Sequence, residues 1–227
     1  TKLYTGNATD DTAITGVGFS PDWVWIKNRS TTEAHHTADS VIGAAKRLRT
    51  NTTGALGNQA DGVKSFDSNG ITIGTTGSLN GNGNSIVGGF WKAGGSASSN
   101  SNGSITSSVS ASTDSGFSIV SYTGNGSSAT VGHGLGVAPN VIITKKTNAA
   151  AQWNFQNSIR GYNEYMALNT TEASQATSGA IISAVSSTTY SCDGNDVVNA
   201  SSDTYISYCF AEKKGYSKFG SYTGNGN

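Results

Sequence analysis

Three histidines, two cysteines and a few paired carboxylates are the side chains of this 227-residue sequence best suited to chemistry. His35 and His36 are adjacent, so on a strand they point to opposite faces and cannot share a metal ion. Neither they nor His133 have the carboxylate spacing of a zinc site or a catalytic triad. Asp10-Asp11 and Asp193-Gly194-Asn195-Asp196 are oxygen-rich turns, but each falls short of the ligand ring of a calcium loop. Serine is abundant, yet no Gly-x-Ser-x-Gly elbow singles out a nucleophile. The scattered acids show no matched pair of the kind that cleaves glycosidic bonds. Cys192 and Cys209 read as buried thiols packing like small hydrophobes, with a disulfide as the alternative if their strands are neighbours. The sequence therefore predicts neither an enzyme nor a metal or cofactor site.

Composition narrows the partners. Fourteen basic and fourteen acidic residues cancel, and charged side chains make up only 12% of the chain. That leaves no electrostatic footprint for nucleic acid or an anionic membrane. No apolar run is long enough to insert into a bilayer as a helix. Thirty glycines without a three-residue period, and only two prolines, exclude collagen. Hydrophobic residues at 35%, with Ile/Val runs among them, are enough to build cores. What remains is a Gly/Ser/Thr/Asn-rich all-β chain whose neutral surface suits proteins or neutral sugars.

The elements come from an internal repeat. Tyr4-Thr5-Gly6-Asn7 recurs at Tyr122-Thr123-Gly124-Asn125 and again at Tyr222-Thr223-Gly224-Asn225. The first shift superimposes Gly16 on Gly134, Pro21 on Pro139, Lys27 on Lys145 and Gly43 on Gly161. Further on, Ile73 meets Cys192, Asn80 meets Asn199 and Phe90-Trp91 meets Cys209-Phe210. Two copies of one fold follow. Residues 1–95 form a first β-sandwich repeat and 116–218 a second. Residues 96–115, rich in Gly, Ser and Asn, read as a linker or long loop in which Ile105 and Val109 leave room for a strand. Residues 219–227 read as the start of a third copy, making this a piece of a longer multi-repeat polypeptide, or as a terminal strand.

Short apolar runs bounded by turn residues predict strands at Trp23–Lys27, Gly70–Gly74, Ile86–Lys92, Phe117–Tyr122, Asn140–Lys145, Tyr165–Leu168, Ala180–Val185 and Tyr205–Ala211. Ala38–Arg47 and Glu172–Gln175 are the plausible helical turns. The fold class expected is tandem β-sandwiches of jelly-roll or lectin-like type. Trp23 and Trp25 share one face of their strand, either as a sugar platform or as a core stripe. Their counterparts Val141 and Ile143 favour the core. Trp153 is different, because its counterpart is His35 and a position that switches between Trp and His is not part of a shared core. Trp153, with Gln152, Asn154 and His35, is therefore the candidate ligand contact, an exposed aromatic flanked by amides.

One resemblance is specific. Gly18-Phe19-Ser20-Pro21-Asp22-Trp23-Val24-Trp25-Ile26-Lys27, then Asp39-Ser40-Val41-Ile42-Gly43, Ser65-Phe66-Asp67-Ser68-Asn69-Gly70 and Phe90-Trp91-Lys92-Ala93-Gly94-Gly95 together resemble repeat modules of tailed-phage virion proteins, marine ones especially. Gly116–Gly124, leading to Val131-Gly132-His133-Gly134-Leu135-Gly136 and Pro139, continues the pattern over nearly the whole chain. The resemblance implies a lectin-like module in a tail fibre, spike or capsid-surface appendage, assembled with other virion proteins and copies of itself as a homo-oligomer. Host attachment, through neutral surface glycans where sugars are bound, is the expected role, and a virion surface the expected location. A carbohydrate-binding module and a secreted repeat adhesin are the alternatives. One departure is Gly88-Gly89 in the first copy, where the second has Ser207-Tyr208.

Overall fold

The computed structural model of the chain describes residues 1–162, 164–176 and 181–226. The first copy contains β1 (Lys2–Thr5), β2 (Thr12–Thr15), β3 (Trp23–Asn28), β4 (His36–Asp39), β5 (Lys46–Arg47), β6 (Gly57–Asn58), β7 (Val63–Asp67), β8 (Gly70–Ile73), the single helical turn α1 (Gly77–Asn80) and β9 (Ser85–Trp91). The second contains β10 (Ser98–Asn100), β11 (Ser107–Ser112), β12 (Phe117–Thr123), β13 (Ala129–Gly132), β14 (Val141–Lys146) and β15 (Trp153–Asn157). It continues with β16 (Glu164–Ala167), β17 (Gln175–Ala176), β18 (Ile182–Val185), β19 (Thr189–Cys192) and β20 (Thr204–Phe210).

The molecule is all-β and built of sandwiches. In the first copy a large sheet ordered β1-β9-β3-β4 packs on a small sheet ordered β2-β8-β7. The second copy repeats both orders, as β12-β20-β14-β15 over β13-β19-β18. Every pairing among these strands is antiparallel. Each sandwich closes over its own core. Val24, Ile26, Ile71, Ile73, Leu79 and Ile86 fill the first, and Val120, Val131, Ile142, Tyr190, Tyr205 and Cys209 the second.

The stretch 96–115 is not a loose linker. Its β10 and β11 pair antiparallel and continue the second large sheet outward from β12, with Val109 opposite Val120. Ser98 and Ser99 are exposed on the edge strand β10, while Ser107 and Ser110 of β11 are buried and donate their hydroxyls to the carbonyls of Gly132 and Gly95 at 2.9 and 2.7 Å. Ala38–Arg47 is not a helix either. The Asp39 carboxylate accepts the amides of Val41 and Ile42, both at 2.9 Å, and Gly43 N–H donates to the Asp39 carbonyl at 3.0 Å. That makes one helical turn, which Gly43 ends with a φ of 96°. Glu172–Gln175 holds no helix, and its last residue begins β17. Of the strand expected at Ala180–Val185, Ala180 lies outside the described residues and Ile182–Val185 is β18.

The repeated Tyr-Thr-Gly-Asn motif is a latch. Tyr4 donates its hydroxyl to the carbonyl of Leu79 at 2.8 Å, and Tyr122 does the same to Val198 at 2.6 Å. Asn80 Oδ1 then accepts the Asn7 amide, as Asn199 Oδ1 accepts that of Asn125. Glycine is required between them, because a Cβ on Gly6 or Gly124 would stand 2.3 Å from the carbonyl oxygen of Gly81 or Ala200. The third occurrence of the motif lacks the tyrosine and glycine contacts of the other two: Tyr222 is 94% exposed, a Cβ on Gly224 would meet nothing within 4 Å, and residues 218–226 contain no strand. Gly124→Ala should therefore lower stability by about 1–3 kcal/mol, the usual cost of overpacking. Gly224→Ala should leave the denaturation midpoint unchanged, and equal midpoints for the two variants would contradict the latch.

Candidate functional site

The fully apolar runs 23–26 and 141–143 arise because the central strands of both large sheets are covered twice. Val24 and Ile26 face their own sandwich, while Trp23 and Trp25 face away from it. Ile142 faces inward in the second copy, and Val141 and Ile143 face away. The two outward faces pack on each other. Trp23 stacks on Tyr208 with centroids 4.3 Å apart and on Phe117 at 5.7 Å. Its indole N–H reaches Thr37 Oγ1, whose hydroxyl donates to the Val24 carbonyl at 2.7 Å. Tyr208 crosses the interface to donate to Asp39 Oδ2 at 2.7 Å. Backbone bonds add to the seam: Leu56 N–H to Thr147 O and Ala151 N–H to Thr53 O.

This interface accounts for the sequence departure at Gly88-Gly89. The Trp91 ring lies over Gly89, with a ring carbon 2.6 Å from where a Cβ would stand. In the second copy the matched Tyr208 projects across the seam instead. The copies differ there because they form opposite sides of one contact.

The same interface removes Trp153 from solvent. Its side chain is fully buried, stacks parallel to Tyr208 at 6.4 Å and donates its indole N–H to the Arg49 carbonyl at 2.8 Å. Asn154 is buried too, donating to Gln156 Oε1 at 3.0 Å. Gln152 is half-buried. His35, also half-buried, receives the Trp25 indole N–H at 3.2 Å and lies 3.0 Å from Thr50 Oγ1. The expected exposed aromatic platform does not exist. A Trp/His switch between copies marks an asymmetric interface, not freedom from packing.

The other chemical candidates are spent on structure. His36 is buried in the first sandwich, and burial, reinforced by Arg47 and Arg49, pushes its pKa down to about 3. His133 is buried, its Nδ1 accepting the Leu135 amide at 3.2 Å. Cys192 and Cys209 are free buried thiols, both pushed up to about 12 chiefly by burial. Asp10 and Asp11 pair with Lys64 at 2.9 and 2.6 Å. Asp196 and Asp203 hold Lys146, which is nearly buried. Lys145 is buried with its ammonium on the Lys146 carbonyl at 2.7 Å, and burial, then the Lys146 charge, lowers its pKa to about 8. Asp22 accepts Ser40 Oγ at 3.0 Å and the Ala93 amide at 2.7 Å. Among the described residues no three His, Cys, Asp or Glu side chains cluster to hold a metal.

Where the interface ends, it opens. A cleft of about 510 Å³ lies between Trp91 and the second large sheet, floored by Phe117, Val141, Ile143, Phe155 and Phe210 and walled by Tyr216 and Phe219. Phe210 is its hub, 4.8 Å from Phe117 and edge-on to Trp91 and Phe219 at 6.3 and 6.4 Å. Lys92, Ser115 and Ser217 form its polar rim. Beyond Lys92 a second hollow of about 450 Å³ is lined by Ser20, Asp22, Gly94, Ser112, Thr113 and Asp114. An apolar concavity with a few polar groups at its mouth is the usual form of a ligand site. The sequence signal for it was the aromatic spacing of Trp91, Phe117, Phe155 and Phe210, which reads as core until the sheets are placed.

The fold is a tandem β-sandwich with an aromatic cleft at the end of its seam. The chain belongs to the family described as a domain of unknown function, DUF7483, which matches residues 1–227. No curated protein and no solved structure matches it. No helix among the described residues is long and apolar enough to cross a membrane.

Proposed function

We propose that this chain is a non-catalytic structural protein of a tailed-phage virion, carried on the particle surface as part of a fibre, spike or capsid appendage and serving host-surface attachment. The observation that carries the reading is the fusion of two copies of one sandwich through an aromatic seam, with the buried Asp39 and Lys146 bonded into the framework. Such a unit displays a surface and does no covalent chemistry. The motifs shared with virion repeat modules supply the setting, with copies of itself and other virion proteins as partners. Mass spectrometry of purified particles, with gold-labelled antibody in electron micrographs, tests it. The chain should be present and surface-exposed, and its absence from purified particles would end the proposal.

A second reading, a carbohydrate-binding module within such a particle or in a secreted adhesin, is favoured by the aromatic cleft. Rings lining a shallow concavity suit the C–H faces of sugars, and glycan-array binding would raise this reading above simple display.

A further inference from the structure

We infer that the cleft beside Trp91 takes an acidic saccharide, a chain bearing uronic acids, and this rests on the attachment reading above. The apolar part of the site is aromatic: Trp91, Phe155, Phe210 and Phe219 surround the hollow, and Tyr216 stands at its mouth 69% exposed. Flat rings in a half-open cleft accept the apolar face of a pyranose and leave its substituents in water.

The charge is what selects among sugars. Lys92 lines the cleft, and Lys213, Lys214 and Lys218, three more of the chain's 14 basic residues, line an adjoining hollow that shares Tyr216 and Ser217 with it. Lys218 is matched by Glu212 at 3.4 Å, and Glu212 also accepts the Phe219 amide at 3.1 Å. Lys92, Lys213 and Lys214 have no carboxylate partner among the described residues. The Lys213 stem lies against Gly116 on the cleft wall, its Cγ 2.8 Å from where a Cβ would stand. Asp114 and Asp22 are the opposing charges, and both line the second hollow on the far side of Lys92, where Asp22 already accepts Ser40 Oγ and the Ala93 amide. A ligand on the aromatic side therefore meets Lys92 directly, and one long enough to pass Tyr216 into the adjoining hollow meets the unmatched Lys213 and Lys214, in a chain of zero net charge. Electrostatic complementarity of this kind sets specificity and encounter more than raw affinity. An acidic saccharide differs from the neutral glycan expected from overall composition, because the charges are few but not evenly spread.

The test is isothermal titration calorimetry of the full chain with oligogalacturonate and oligomannuronate, against neutral galactose and mannose oligosaccharides of equal length. At least one uronate should bind tenfold or more tighter than its neutral counterpart, and less tightly as salt is added. Lys92→Ala with Lys213→Ala should remove that preference. Tyr216→Ala, at an exposed position that leaves the melting temperature unchanged, should weaken binding by tenfold. No binding by either uronate at millimolar concentration, equal binding of neutral sugars, or binding indifferent to these variants would overturn the inference. Concentration-dependent self-association abolished by Tyr216→Ala, without sugar binding, would also overturn it by assigning the cleft to a second copy. Any of these results in a chain found on virions removes only this inference, whereas absence from virions removes the attachment reading itself.

Discussion

Replacing Trp153 with alanine should lower the stability of the whole chain by about 3–5 kcal/mol, the range for deleting a buried indole. The side chain is fully enclosed between the copies, and its removal leaves a cavity beside Tyr208 and takes the N–H donor from the Arg49 carbonyl. Domains are held by roughly 5–15 kcal/mol in total, so the variant should sit near the edge of folding. The measurement is the midpoint and slope of urea denaturation. A change within about 0.5 kcal/mol, typical of surface substitutions, would return Trp153 to the exposed role its sequence suggests.

The second large effect is a hidden pH dependence. Asp39 is buried, and desolvation raises its pKa to about 6, against the hydrogen bonds from Ile42, Tyr208 and Val41 that lower it and with the Asp22 charge that raises it. A carboxyl raised in the folded state contributes stability fully present below its ordinary value of 3.8 and lost as pH rises through about 6. His36, driven down to about 3, does the reverse. Its contribution is full above 6.5 and lost as pH falls toward 3. At 1.36 kcal/mol per pKa unit, Asp39 is worth on the order of 3 kcal/mol and His36 on the order of 5 kcal/mol, and between pH 4 and 6 the two slopes oppose each other. The wild-type profile should be shallow there. Asp39→Asn keeps the shape and an acceptor for the two amides while removing the titration. Its stability should fall by on the order of 3 kcal/mol from pH 6.5 to pH 4, with the His36 slope now unopposed. Parallel profiles for the variant and the wild type would show that Asp39 does not titrate as its burial requires.

Much of the fold was legible in the sequence because repetition separates signal from composition. Matched apolar positions such as Val24 with Ile142 and Ile73 with Cys192 locate the cores, and the recurring glycines sit where the chain turns. Gly16, Gly18 and Gly43, with Gly134, Gly136 and Gly161, all have positive φ. The same comparison concealed the seam between the copies. A repeat predicts what two modules share, whereas their contact is built from what they do not share. Trp153 faces Arg49 while His35 faces Trp25 and Thr50, and Tyr208 crosses to Asp39 where Gly89 cannot. Strands β10 and β11 were hard to read for another reason. The edge strand β10 is largely exposed and β11 buries serines beside Val109, so neither shows the apolar alternation that marks a half-buried strand. The cleft needed the structure outright, since its walls come from Trp91, the second large sheet and the 216–219 turn, elements brought together only by the face-to-face packing.

The central claim is that this seam makes the two sandwiches one body, and the four tryptophans allow it to be tested directly. Trp23, Trp25, Trp91 and Trp153 all belong to the interface cluster, so tryptophan fluorescence reports the seam, while far-UV circular dichroism reports the strands of both copies. Urea unfolding followed by both probes should give one coincident transition, the mark of a single cooperative unit. A fluorescence transition completed at lower urea than the dichroism would show the sandwiches separating before they unfold, and would contradict the account.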